Sequence, residues 1–130
     1  MSEIYNENSS DLNIKDKAVM FHKEGKNCAQ SVLLSLEKYT GLDSDLAVKI
    51  SSGFGGGIKS GEVCGAISGA VMVLGLCGHE KYAKLIVEDF KNNYGSCLCR
   101  TLKGTYHVSC DELISHAAEL VEGVIKNGNL

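Results

Sequence analysis

Apolar positions recur with helical spacing in every long segment of the chain. Ile14, Ala18 and Phe21 mark one face between about residues 12 and 24, and Gly25 stops that helix. Ala29, Val32, Leu33 and Leu36 line a second helix over 28–39, which Gly41 ends. Asp43 or Ser44 caps a short third helix through Ile50. Along 79–94, Tyr82, Leu85, Ile86 and Phe90 face inward and Lys81, Lys84, Glu88 and Lys91 outward, and Gly95 closes the helix. The last helix, 110–126, has a broad apolar face of Leu113, Ile114, Ala117, Leu120, Val121, Val124 and Ile125. Residues 63–77 are the most apolar stretch and predict a buried central helix. They fall short of the ~20 residues that a membrane span needs. No stretch alternates as a strand. The pattern predicts an all-α fold: a single-domain helical bundle around a central apolar helix. Polar residues 1–10 predict a flexible N-terminus, leaving 11–130 as one helical, cysteine-rich domain.

Composition narrows the picture. At 130 residues and 44% apolar content, one domain can bury a real core, and the absence of Pro leaves helices uninterrupted. A formal net charge of -3, with 13 scattered Lys and Arg, gives no footprint for nucleic acid or an acidic membrane. The stretch 1–7 has neither the basic start nor the apolar run of a signal peptide. That predicts a cytoplasmic, reducing location. There, the six cysteines point to catalysis or metal binding more than to structural disulfides.

The placement of those cysteines is the most informative chemical feature. Asn27-Cys28-Ala29-Gln30 and Ser109-Cys110-Asp111-Glu112 both read as capping boxes, with the cysteine at the first helical position. Cys64 opens the apolar stretch. Helix N-termini carry partial positive charge and unpaired N–H groups, which favour thiolates at Cys28 and Cys110. Thiolates serve both redox chemistry and metal binding. Cys28, Cys64, Cys99 and Cys110 form the leading set, with Cys97 a substitute for Cys99 in the Cys97-Leu98-Cys99 pair. The set has no CxxC and no compact zinc spacing, so the fold must assemble it. Cys77 reads as core.

Gly53-Phe54-Gly55-Gly56-Gly57 breaks regular structure. It is not a Walker loop, because Ile58 stands where Gly must precede Lys59-Ser60. Gly55, Gly56 and Gly57 could let backbone N–H groups approach a bound anion or inorganic cluster, or could form a flexible loop. Gly65 and Gly69, one turn apart, give a smooth face for close helix packing. His22, His79, His107 and His116 are isolated in sequence and read as surface or packing residues. His107 is the one nearest a cysteine, Cys110.

Gly25-Lys26-Asn27-Cys28-Ala29-Gln30, the 53–57 glycine loop, Cys64-Gly65-Ala66-Ile67-Ser68-Gly69, Cys99-Arg100-Thr101-Leu102 and Cys110 occur in that order. Over about 12–126 the chain resembles the C-GCAxxG-C-C family, whose redox role is inferred from its cysteines. Its core here reads Cys64-Gly65-Ala66 rather than Gly-Cys-Ala. The resemblance puts the family's four cysteines on Cys28, Cys64, Cys99 and Cys110 and makes Cys77 and Cys97 extras. A similar domain in split-Soret cytochromes is associated with an iron–sulfur centre. The expected function is therefore redox, most directly through an iron–sulfur cluster on those four cysteines for electron transfer. The alternatives are a metal-free thiol–disulfide protein and a structural zinc protein on the same residues. An electron carrier implies a redox partner protein of unspecified identity. Homo-oligomerisation is left open.

Overall fold

The computed structural model describes residues 12–127. The expected flexible stretch 1–10 lies outside them. The protein is an all-α single domain, with eight helices and no strands among the described residues. In chain order the helices are α1 (Ile14–Lys23), α2 (Cys28–Ser35), α3 (Glu37–Thr40), α4 (Ser44–Ser51), α5 (Gly65–Leu76), α6 (Ala83–Tyr94), α7 (Cys99–Gly104) and α8 (Cys110–Asn127). Helix α5 is the central apolar helix, packed against α2, α8 and α6. The core is built from Leu33, Leu36, Ile67, Leu74, Ile86, Phe90, Leu102 and Ile114, all essentially inaccessible.

Four features depart from the sequence expectation, and the first has a local cause. The second helix breaks at Leu36 (φ -108°, ψ 20°) instead of running through 28–39. Ser31 Oγ donates to the Asn27 carbonyl and Ser35 Oγ to that of Val32, each at 2.7 Å. Such back-bonding competes with the helical ladder, and Leu36 N–H turns to the Leu33 carbonyl at 3.4 Å. The segment 79–94 splits into a 3₁₀ turn, Glu80–Tyr82, and α6. Leu85, expected to face inward, is exposed. Cys99, in a short stretch for which the apolar pattern predicts no helix, starts α7.

The α2–α5 contact depends on missing side chains. A methyl group at position 69 would lie 2.7 Å from the Ala29 carbonyl oxygen and 3.2 Å from the Ala29 Cα. One at position 65 would lie 2.9 Å from the Phe54 carbonyl oxygen and 3.1 Å from the Cys28 Cβ. The smooth face of Gly65 and Gly69 therefore brings two backbones together, and Cys28 with them.

Gly69→Ala is expected to destabilise the protein by about 1–3 kcal/mol through overpacking. Gly123→Ala, in the interior of α8 with open space around it, should stabilise by about 0.5–1 kcal/mol. Urea midpoints check both. Equal effects at the two positions would contradict the close-approach argument.

Candidate functional site

Each of the four leading cysteines stands at a helix N-terminus. Cys28, Cys99 and Cys110 are first residues of α2, α7 and α8, and Cys64 is the N-cap of α5. Asn27 forms the full capping box. Its side chain accepts from Gln30 N–H, and Gln30 Oε1 accepts from Asn27 N–H, both at 2.8 Å. Ser109 caps α8 by accepting from Glu112 N–H at 3.1 Å. The reciprocal half expected there is replaced: Glu112 instead accepts from the Tyr94 hydroxyl at 2.9 Å.

Backbone hydrogen bonds hold the starts of α5 and α7 together. Cys64 N–H donates to the Cys97 carbonyl at 2.9 Å and Cys99 N–H to the Glu62 carbonyl at 2.7 Å. They flank an isolated antiparallel bridge between Val63 and Leu98. The Arg100–Glu62 ion pair, 3.0 Å, spans the same two segments. Cys97 thus contributes its carbonyl to this bridge, and its side chain packs at the edge of the core.

The glycine loop is packed rather than open where it meets the cysteine helices. A methyl at Gly55 would lie 2.6 Å from the Cβ of Asn27, the α2 cap. One at Gly57 would lie 2.5 Å from backbone atoms of Glu62 and 2.9 Å from the Cys99 Cβ. Gly57 also has φ 65°, a left-handed conformation that a side chain disfavours. Gly56 shares that conformation with open space beside it. Ile58 and Lys59 continue the left-handed run at φ 58° and 55°. For a β-branched residue this is strain, on the order of 1–3 kcal/mol.

The four thiols influence one another electrostatically. Cys28, Cys110 and a ring nitrogen of His22 have their ligand atoms within 4.8 Å of one another. Interaction with the Cys28 thiol holds the Cys110 thiol down, at about 5, against its own partial burial, with the Lys103 ammonium and His22 helping. The same interaction, burial, and the nearby Cys64 and Cys99 push Cys28 up. The pair therefore gives up one proton readily and holds the second. A helix start does not lower Cys28, contrary to the sequence expectation, because the neighbouring Cys110 and burial outweigh the dipole. Burial likewise pushes Cys64 up to about 11, although the N–H groups of Ala66 and Ile67 favour its thiolate. Cys99 is raised by burial and by Cys110, with Lys103 opposing.

Cys77 lies apart in the fold. It follows the last residue of α5, its sulfur 3.6 Å from the Tyr39 carbonyl oxygen, and burial raises it. Among the histidines, all read from the sequence as surface or packing residues, it is His22 and not the sequence neighbour His107 that lies by Cys28 and Cys110. His107 is exposed with φ 55°. His22, on α1, reaches the centre through the α1–α8 contact, and its Nδ1 lies 2.7 Å from Asp111 Oδ1. Lys103 was missed. No spacing joins either residue to Cys110, since His22 lies on another helix. Asp111, beside Cys110, is the only local sign.

The family model described as "Putative redox-active protein (C_GCAxxG_C_C)" matches residues 26–124. No curated protein and no solved structure matches the chain.

In reduced, metal-free protein, Cys110 should alkylate with a midpoint near pH 5, being thiolate above it and protonated below. Cys28→Ala and Lys103→Met should each move that midpoint up. Cys77 should react slowly. Mass-spectrometric alkylation rates against pH check this, and a Cys110 midpoint near the ordinary ~8.5 would contradict it.

Proposed function

The chain belongs to the C-GCAxxG-C-C family, and on that premise we propose that Cys28, Cys64, Cys99 and Cys110 form one redox centre that holds an iron–sulfur cluster for electron transfer. The observation that carries the reading is the arrival of four thiols from four helix N-termini at mutual electrostatic range. The donor set suits the group: such clusters are held by cysteine thiolates. The Cys110 interaction and burial that keep Cys28 protonated without metal, and the burial that keeps Cys64 so, are overcome on coordination, because a bound cation deprotonates its thiol.

The cluster would supply one-electron chemistry. The chain's own residues do the rest. The N-terminal N–H groups of α2, α5, α7 and α8 offset the negative charge of the thiolates. The N–H groups of Ala66 and Ile67 face Cys64, and Lys103 faces Cys110. Gly57 brings loop backbone against Cys99 and Gly55 lies against the Asn27 cap of α2; in this reading Gly55, Gly56 and Gly57 would border the bound group. Half-buried Cys28, Cys99 and Cys110 leave the centre near enough to the surface for a redox partner protein. Reduced thiols call for a reducing compartment such as the cytoplasm. Among the described residues, no helix is long and apolar enough to cross a membrane.

A second reading rests on the lowered Cys110. In the metal-free protein its thiolate would attack a partner disulfide, forming a mixed disulfide and expelling one partner thiolate. Cys28 would then give up its proton and attack Cys110 Sγ. That closes a Cys28–Cys110 disulfide and releases the second partner thiolate, a two-electron reduction of the partner.

Protein purified without oxygen should be brown and contain iron and sulfide. Serine at position 28, 64, 99 or 110 should remove most of both. Cys77→Ser should keep them and cost about 1 kcal/mol of stability. Zinc alone would favour the structural alternative. Neither iron nor sulfide, before or after reconstitution, would overturn the cluster, and a reversible Cys28–Cys110 disulfide would then identify the dithiol reading.

A further inference from the structure

We propose that His22 is a ligand of this centre, binding the metal ion held by Cys28 and Cys110, with Asp111 as the carboxylate that fixes the imidazole. The inference rests on the reading that the converging thiols hold metal, and adds a residue that lies outside the 26–124 family match.

Three observations combine. Among the described residues, His22, Cys28 and Cys110 are the metal-ligating side chains that come within 4.8 Å of one another. They arrive from α1, α2 and α8, so no local turn explains their meeting. The His22 Nδ1 is committed to Asp111 Oδ1 at 2.7 Å, which leaves Nε2 as the nitrogen with a free lone pair. Metal-binding histidines are held in this way: a carboxylate on one ring nitrogen sets the tautomer and raises the basicity of the other. Two sulfurs and one imidazole make a set that thiophilic divalent ions accept, with Cys64 or Cys99 at hand for further positions.

His116 shows what a purely structural histidine looks like in the same fold. Its Nε2 lies 2.5 Å from Asp89 Oδ1, and its ring meets Phe90 and Tyr94 at centroid distances of 5.5 and 5.2 Å. That pair ties α6 to α8 through aromatic packing. His22 has the same carboxylate partnership but faces two thiols instead of rings.

Cobalt(II) is the probe, added under anaerobic, reducing conditions to the full chain. X-ray absorption at the cobalt edge should show sulfur ligands together with the outer-shell scattering of an imidazole. His22→Ala should remove the imidazole signal and weaken cobalt binding. Asp111→Asn should keep the imidazole and weaken binding by about 10–100-fold. His116→Gln should change neither, and circular dichroism confirms that each variant is folded. Wild-type cobalt bound by sulfur alone would overturn the role of His22 and leave the thiol centre standing. No cobalt bound to fully reduced protein would overturn both.

Discussion

The approach of α5 to α2 is the constraint on which the rest depends. Two glycines on α5 let its backbone lie against Ala29 and Cys28 with no side chain between. That contact buries Ile67, Ala70 and Leu74 on one helix and Val32, Leu33 and Leu36 around the other. It also carries Cys64, one residue before Gly65, to the start of α2. A paired strip of extended chain then does for α7 what the glycines do for α5. Because residues 62 and 64 bond to 99 and 97, the start of α7 cannot drift from the start of α5. Helix α8 completes the arrangement by packing on α1, α2 and α5.

Converging helix starts have an electrostatic consequence. Each contributes partial positive charge where the thiols lie, yet the thiols differ. Burial dominates at Cys64, and the Cys110 interaction followed by burial at Cys28, whereas Cys110 has a neighbouring thiol, Lys103 and His22 to carry its charge. The helix dipole is thus a background that local partners override, since its influence fades within a turn. A protonated pair beside a stabilised anion suits either metal capture or disulfide exchange, so composition alone does not separate them.

Much of this was legible in the sequence. The apolar period of α1, α6 and α8, and the uniform apolarity of α5, survive because those segments are long enough for periodicity to speak. The Asn27 cap and the Gly65–Gly69 face were equally readable. What was hidden is long-range. His22 and Lys103 reach Cys110 from other helices, and nothing in their neighbourhoods marks them. The start of α7 lacked a capping side chain at Leu98, so backbone pairing defines it and no cap residue announces it. Ser31 and Ser35 could have warned of the break at Leu36, but four apolar residues on one face drew the helix through it. The left-handed run through Ile58 and Lys59 goes against the preference of both side chains, which are exposed, and no residue in the sequence marks it.

The claim at the centre of this account is that four helix starts present their sulfurs to a single point. Anomalous X-ray diffraction from crystals grown without oxygen, collected at the iron edge, tests it most directly. Anomalous density is expected at one place per chain, bounded by Cys28, Cys64, Cys99 and Cys110, with Cys77 remote from it. Iron bound elsewhere, or two of those four sulfurs on opposite sides of the molecule, would contradict it.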